Sequence, residues 1–127
     1  MGERVLVDTD ILIDFYRGRL DLPPGNIYYI STITLYEYAR GTRKPGEAKR
    51  LLEESFTLLP LSNEVLLRSS EIWRELKARG LAVDDRDLLI GVTAIVHGLK
   101  LYTRNVKHFQ RLEDYGLHLF KPPSTSQ

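Results

Sequence analysis

The most constraining feature of this 127-residue chain lies at its start. Val5-Leu6-Val7 is a short apolar run that stops at Asp8-Thr9-Asp10, and an apolar-rich helical pattern begins at once with Ile11-Leu12. A run this short, ended by an acid and fed straight into a helix, is the pattern of a buried parallel strand and its crossover helix. Ligands of open α/β sheets sit at the carboxyl ends of such strands. Asp8 therefore stands where chemistry would be placed.

The rest of the chain repeats the alternation. Residues 4–8 read as the first strand and 9–18 as the first helix, stopped at Gly18. Pro23-Pro24-Gly25 breaks regular structure before a second strand at residues 27–30. Ser31 or Thr32 caps a helix to Ala39, and Pro45 opens another over residues 45–55. A short strand at 57–59 ends at Pro60. A long helix from Ser62 to Arg79 carries Val65, Leu66, Ile72, Trp73 and Leu76 as a helical stripe. The helix over 85–97 is apolar nearly all round, which predicts burial. A strand at 100–103, a helix at 105–113 and a closing strand at 117–120 complete the pattern. Strands alternating with helices imply a three-layer α/β/α sandwich around a parallel sheet of four to five strands. One domain over residues 1–121 and a flexible tail over 122–127 are expected.

With no cysteine, disulfides, thiolate metal sites and a cysteine nucleophile are excluded, as a reducing cytoplasm would suit. The start shows no signal-peptide pattern and no apolar run reaches the length of a membrane span, so a cytoplasmic location is expected. A net charge of +1 predicts no global attraction to nucleic acid. Its distribution is uneven: acids crowd the early part, while Arg40, Arg43, Lys44, Lys49 and Arg50 form one basic block and Lys100, Arg104, Lys107 and Arg111 a second. Such blocks are ordinary solvated surface, but an acidic centre with basic flanks also suits a phosphodiester.

Asp8, Asp87 and Asn105 all stand at helix starts, and Glu37 lies about one turn into the helix after the second strand. Parallel strands point the same way, so these positions can meet along one rim. Taken singly, Asp and Asn are preferred N-caps, and Asp84 with Asp87 resembles a capping pair. Glu37 resists that reading, because an inward carboxylate in an apolar helix carries a heavy desolvation cost without a cation. Two carboxylates about 5 Å apart repel by roughly 3 kcal/mol at an effective dielectric near 20. Three in one pocket must take up protons or recruit a divalent ion, and an all-oxygen set favours Mg²⁺ or Mn²⁺. Thr9 can steady a carboxylate or cap the helix; Asp10 can support the site or merely favour the helix dipole. His97, His108 and His118 have no ligand spacing, and no glycine-rich phosphate loop or nucleophile elbow is present.

VLVDTDILID, ISTITLYEYARG and DRDLLIGVTAIVHGLKLYTRNVKHF, in that order, resemble a PIN domain, and most closely the VapC toxins of toxin–antitoxin pairs; the likeness runs from Arg4 to Phe120. The resemblance implies an α/β/α fold whose acids bind Mg²⁺ or Mn²⁺ to cleave RNA phosphodiester bonds. By motif, Asp8, Glu37 and Asp87 are the metal carboxylates, Thr9 and Asp10 support them, and Asn105 falls in the fourth motif. His108 stands where relatives often carry an acid, which puts a second metal in doubt. Arg40, Arg43, Arg104 and Lys107 are the side chains expected on backbone phosphates. The resemblance also implies a homodimer and a VapB-like antitoxin laid over the acidic pocket. The contrasting expectation is a weakened PIN-like module that binds RNA or a protein partner without cutting.

Overall fold

The first strand settles how the two faces are built. In the computed structural model, which describes residues 2–123, β1 (Arg4–Val7) is the middle strand. Successive strand side chains point to opposite faces. Leu6 enters one apolar cluster with Val65, Ile72, Leu88, Leu101 and Phe109. Val5 and Val7 enter the other, with Ile11, Leu12, Ile30, Leu52 and Phe56. Val5, Leu6 and Val7 are fully buried, as a sheet covered on both faces requires.

The elements follow in the order α1 (Thr9–Tyr16), β2 (Ile27–Ser31), α2 (Thr32–Ala39), α3 (Pro45–Ser55), β3 (Thr57–Leu59), α4 (Asn63–Ala78), α5 (Asp85–His97), β4 (Lys100–Tyr102), α6 (Val106–Phe109) and β5 (His118–Leu119), with a 3-10 helix at Gln110–Tyr115. The five strands lie in the order β3-β2-β1-β4-β5, and every pairing is parallel. The result is the expected three-layer sandwich. Strand order runs outward from β1 through β2 to β3, then returns to the other side of β1 with β4. The gap between the carboxyl ends of β1 and β4 is thus the topological switch point, where a crevice opens in sheets of this kind.

Three expectations need correction. The stripe on α4 is Val65, Ser69, Ile72 and Leu76, all buried, whereas Leu66 and Trp73 are about 40% exposed. Both sit one position off that face, about 100° round the helix. The apolar pattern of the helix holding Glu37 implies burial, yet in α2 only Thr34 is buried and Tyr36 faces solvent. The last long helix is instead a four-residue α6 that tightens into the 3-10 segment. Gly91 explains how closely that segment docks on α5, since a Cβ there would run into Leu112 Cδ1. The tail expected over 122–127 lies outside the described residues from 124 onward.

Candidate active site

Asp8 occupies the N-cap of α1, but its carboxylate does little capping. An N-cap side chain ordinarily accepts from the second or third helical N–H, as Ser31 does from Thr34 and Ser62 from Val65. Asp8 Oδ1 instead accepts from the adjacent Thr9 N–H at 2.7 Å. Its other oxygen, Oδ2, accepts from Thr103 Oγ1 at 2.7 Å. Thr103 is placed for this by the β1–β4 register, which sets Val7 beside Tyr102; Asp8 N–H then donates to the Tyr102 carbonyl at 2.9 Å. The carboxylate is fully buried at the switch point.

Glu37 arrives from α2, which packs against α1 and α3 and also touches α5. Its Oε1 accepts a 2.5 Å hydrogen bond from Thr9 Oγ1, whose oxygen lies 3.1 Å from that of buried Thr34. Asp87 lies in the first turn of α5. The capping pair with Asp84 does not form, as Asp84 makes no side-chain cap hydrogen bond. All three acids turn instead to Arg86.

Arg86 makes a fork on Glu37, Nε to Oε2 at 2.6 Å and Nη2 to Oε1 at 2.9 Å. Nη2 also donates to Asp8 Oδ1 at 2.7 Å, and Nη1 to Asp87 Oδ1 at 2.7 Å. One nitrogen serves both Asp8 and Glu37, so the spacing of those two oxygens cannot exceed the sum of two hydrogen bonds. The acids read from three distant segments therefore do converge. Charge-assisted contacts of this length are the strong kind, and a buried acid left without one would be costly. Among the described residues, however, no three acids or imidazoles stand together as a ready metal cage. The site as folded is organised round a guanidinium. Its donors are nonetheless all carboxylate and hydroxyl oxygens, the set that suits a hard divalent cation, and the guanidinium marks where positive charge is accommodated.

The electrostatics follow from these contacts. Burial pushes the Glu37 carboxyl up, but hydrogen bonds from Arg86 and Thr9 and the charges of Arg86 and Arg40 outweigh it, leaving the group below its usual range. Burial works against the Arg86 charge, yet its bonds to Glu37, Asp8 and Asp87 hold it firmly protonated. Burial and the neighbouring Asp8 charge push Asp10 up, against N–H donors from Arg104 and Ile11. A glutamate depressed on folding stabilises the protein above its unfolded value and loses that contribution as pH falls through the folded one. Chemical denaturation as a function of pH should therefore show stability declining below about 4.5, and Glu37→Gln should flatten that decline.

The remaining expected residues divide. Asp10 accepts from Ile11 N–H at 2.7 Å and Arg104 N–H at 3.0 Å, pinning the loop after β4 rather than joining the Arg86 cluster. Asn105 is the exposed N-cap of α6; its N–H donates to Thr103 Oγ1 at 3.1 Å, and its side chain makes no cap bond. Arg40 stacks on Tyr36 at 5.3 Å, close enough for its charge to act on Glu37. Arg43 is exposed. Arg104 is ion-paired to Asp14 at 2.6 Å and would have to leave it to bind a phosphate. Lys107 lines a cleft of about 310 Å³ with His108, Arg111, Asp84 and Asp87, where His108 Nδ1 lies 3.4 Å from Asp87 Oδ2.

Two residues that hold the acids escaped the sequence reading. Thr103 looked like an ordinary strand threonine. Arg86 did carry a signal: a cation in the first turn of a helix opposes the helix dipole and there sits among Asp84, Asp85 and Asp87.

Known proteins resemble this chain over most of its length. Residues 5–115 match the PIN domain. The chain is 38% identical over 120 residues to Ribonuclease VapC1 of Methanocaldococcus jannaschii, covering 92% of this chain and 87% of that protein. It is 33% identical to Ribonuclease VapC1 of Rickettsia felis, covering 86% and 90%. Among solved structures, VapBC2 from Rickettsia felis bound to a promoter DNA fragment superposes with a TM-score of 0.75 at 25% identity, over 94% of this chain and 99% of that one. With the motifs in order, the parallel sheet and the acids at its switch point, this chain belongs to the PIN domain family.

Proposed function

We propose that the protein is a divalent-metal-dependent endoribonuclease and the toxin of a VapBC-type pair. The observation that carries this reading is the convergence of Asp8, Glu37 and Asp87 on one positive centre at the sheet's switch point. The ribonuclease names of its relatives support it. Asp8, Glu37 and Asp87 would hold Mg²⁺ or Mn²⁺. When bound, such an ion polarises the phosphodiester and makes a water nucleophilic near neutral pH.

The chain's own residues prepare that event. Thr103 Oγ1 and the Thr9 N–H fix the Asp8 carboxylate, and Thr9 Oγ1 fixes Glu37, so the oxygens need not reorganise when charge develops. Thr103 Oγ1 also accepts from the Asn105 N–H, which ties the expected fourth-motif residue to the hydroxyl that holds Asp8. Arg40, whose charge acts on Glu37, and Lys107, which shares a cleft with Asp87, would meet the backbone phosphates; exposed Arg43 and, once parted from Asp14, Arg104 would add to them.

A VapB-like antitoxin is the proposed partner, supported by the VapBC complexes among the structural relatives. A homodimer is proposed as well, with Leu66, Leu67 and Trp73 of α4 leaving an apolar face in solvent. None of the helices in the described residues is long and apolar enough to cross a membrane, and a cytoplasmic location is proposed.

The test is cleavage of a panel of structured and single-stranded RNAs with Mg²⁺ or Mn²⁺. Cleavage that chelation by EDTA abolishes is the expected result. Binding of RNA without cleavage under any divalent ion would replace the enzyme by the non-cutting module.

A further inference from the structure

Arg86 claims the oxygens that a metal ion would need. Four of its five N–H groups are engaged, on Asp8 Oδ1, both oxygens of Glu37 and Asp87 Oδ1. The other oxygen of Asp8 is tied up by Thr103 and that of Asp87 faces His108. The lone pairs directed into the pocket are thus the ones the guanidinium holds. Three carboxylates carry three negative charges against its single positive one, so the cluster still attracts a divalent ion that has to take the same lone pairs. Nothing about helix stability accounts for a cation at this position of α5.

We propose that Arg86 is a built-in competitor for the divalent cation. The guanidinium holds the three acids together in the metal-free protein and swings out for the ion to enter, so Arg86 sets how tightly the metal binds. The inference rests on the metal-dependent reading above. Its side chain is 28% exposed while the three acids are more deeply covered, so a rotation of the long stem toward solvent suffices. The opposite role, in which Arg86 preorganises the acids for the ion, predicts an effect of opposite sign.

The test is calorimetric titration of Mn²⁺ into metal-free wild type, Arg86→Gln and Arg86→Lys, together with their melting in EDTA. Arg86→Gln is expected to bind Mn²⁺ about tenfold or more tightly than wild type, to melt lower without metal, and to gain more in Tm when Mn²⁺ is added. Arg86→Lys, which keeps the charge but loses the fork, should fall between them, and it carries the comparison if Arg86→Gln does not fold without metal. Equal or weaker Mn²⁺ binding by Arg86→Gln, or an unchanged metal-free Tm, overturns the inference. If wild type binds Mn²⁺ and cleaves RNA in that case, the nuclease reading stands without it. If wild type and both variants bind no Mn²⁺, both readings fall.

Discussion

Asp8→Asn is expected to lower divalent-dependent RNA cleavage by about a thousandfold or more while leaving the circular dichroism spectrum of the folded protein. The side chain keeps its size, but one carboxylate oxygen becomes an amide NH₂, so it can no longer accept from Thr103 on one side and from Thr9 and Arg86 on the other, and it loses the negative charge a hard cation needs. Single-turnover cleavage at saturating RNA isolates the effect, because the loss should fall on kcat rather than on KM. Wild-type rates in Asp8→Asn would remove Asp8 from the chemistry.

That prediction rests on a residue the sequence already marked, and the reason is physical. A buried parallel strand has only one carboxyl end, so an acid closing β1 has to face the crevice. Glu37 was marked differently, by the desolvation cost of an inward carboxylate in an apolar helix, and Asp87 by its helix start and, as a ligand, by the resemblance alone. None of this reached Arg86, because an exposed-looking arginine among aspartates reads as solvated surface until the neighbouring segments are folded round it. Thr103 was hidden for a related reason: its hydrogen bond to Asp8 depends on the β1–β4 register, which no local pattern encodes. Leu66 and Trp73 were drawn into the α4 stripe by their apolar character although they sit one position round from it, and polar Ser69 takes the inward place where α5 packs against that helix. The shortened α6 likewise reflects tertiary contact, as the chain tightens to seat Leu112 over Gly91.

Phe109→Ala is expected to cost about 3–5 kcal/mol of unfolding free energy, the largest stability effect of a single truncation here. Phe109 is fully buried, the bulkiest of the side chains buried to that degree. It closes the Leu6 face of the sheet where α5, α6 and the 3-10 helix meet, packed beside Gly91. Urea denaturation should show a lower midpoint at unchanged slope. Because α6 follows directly on the Thr103–Asn105 segment, the loss should also loosen the hydroxyl that steadies Asp8. A cost below about 1 kcal/mol would mean that this corner of the core relaxes freely.

The central claim is that three acids from separate segments serve one hard cation in place of Arg86. Anomalous diffraction from a crystal soaked in Mn²⁺ tests it most directly. The account predicts one peak at about 2.1 Å from oxygens of Asp8, Glu37 and Asp87, with the Arg86 guanidinium withdrawn toward solvent. No peak, or a peak on a single carboxylate with Arg86 still forked on Glu37, would contradict it.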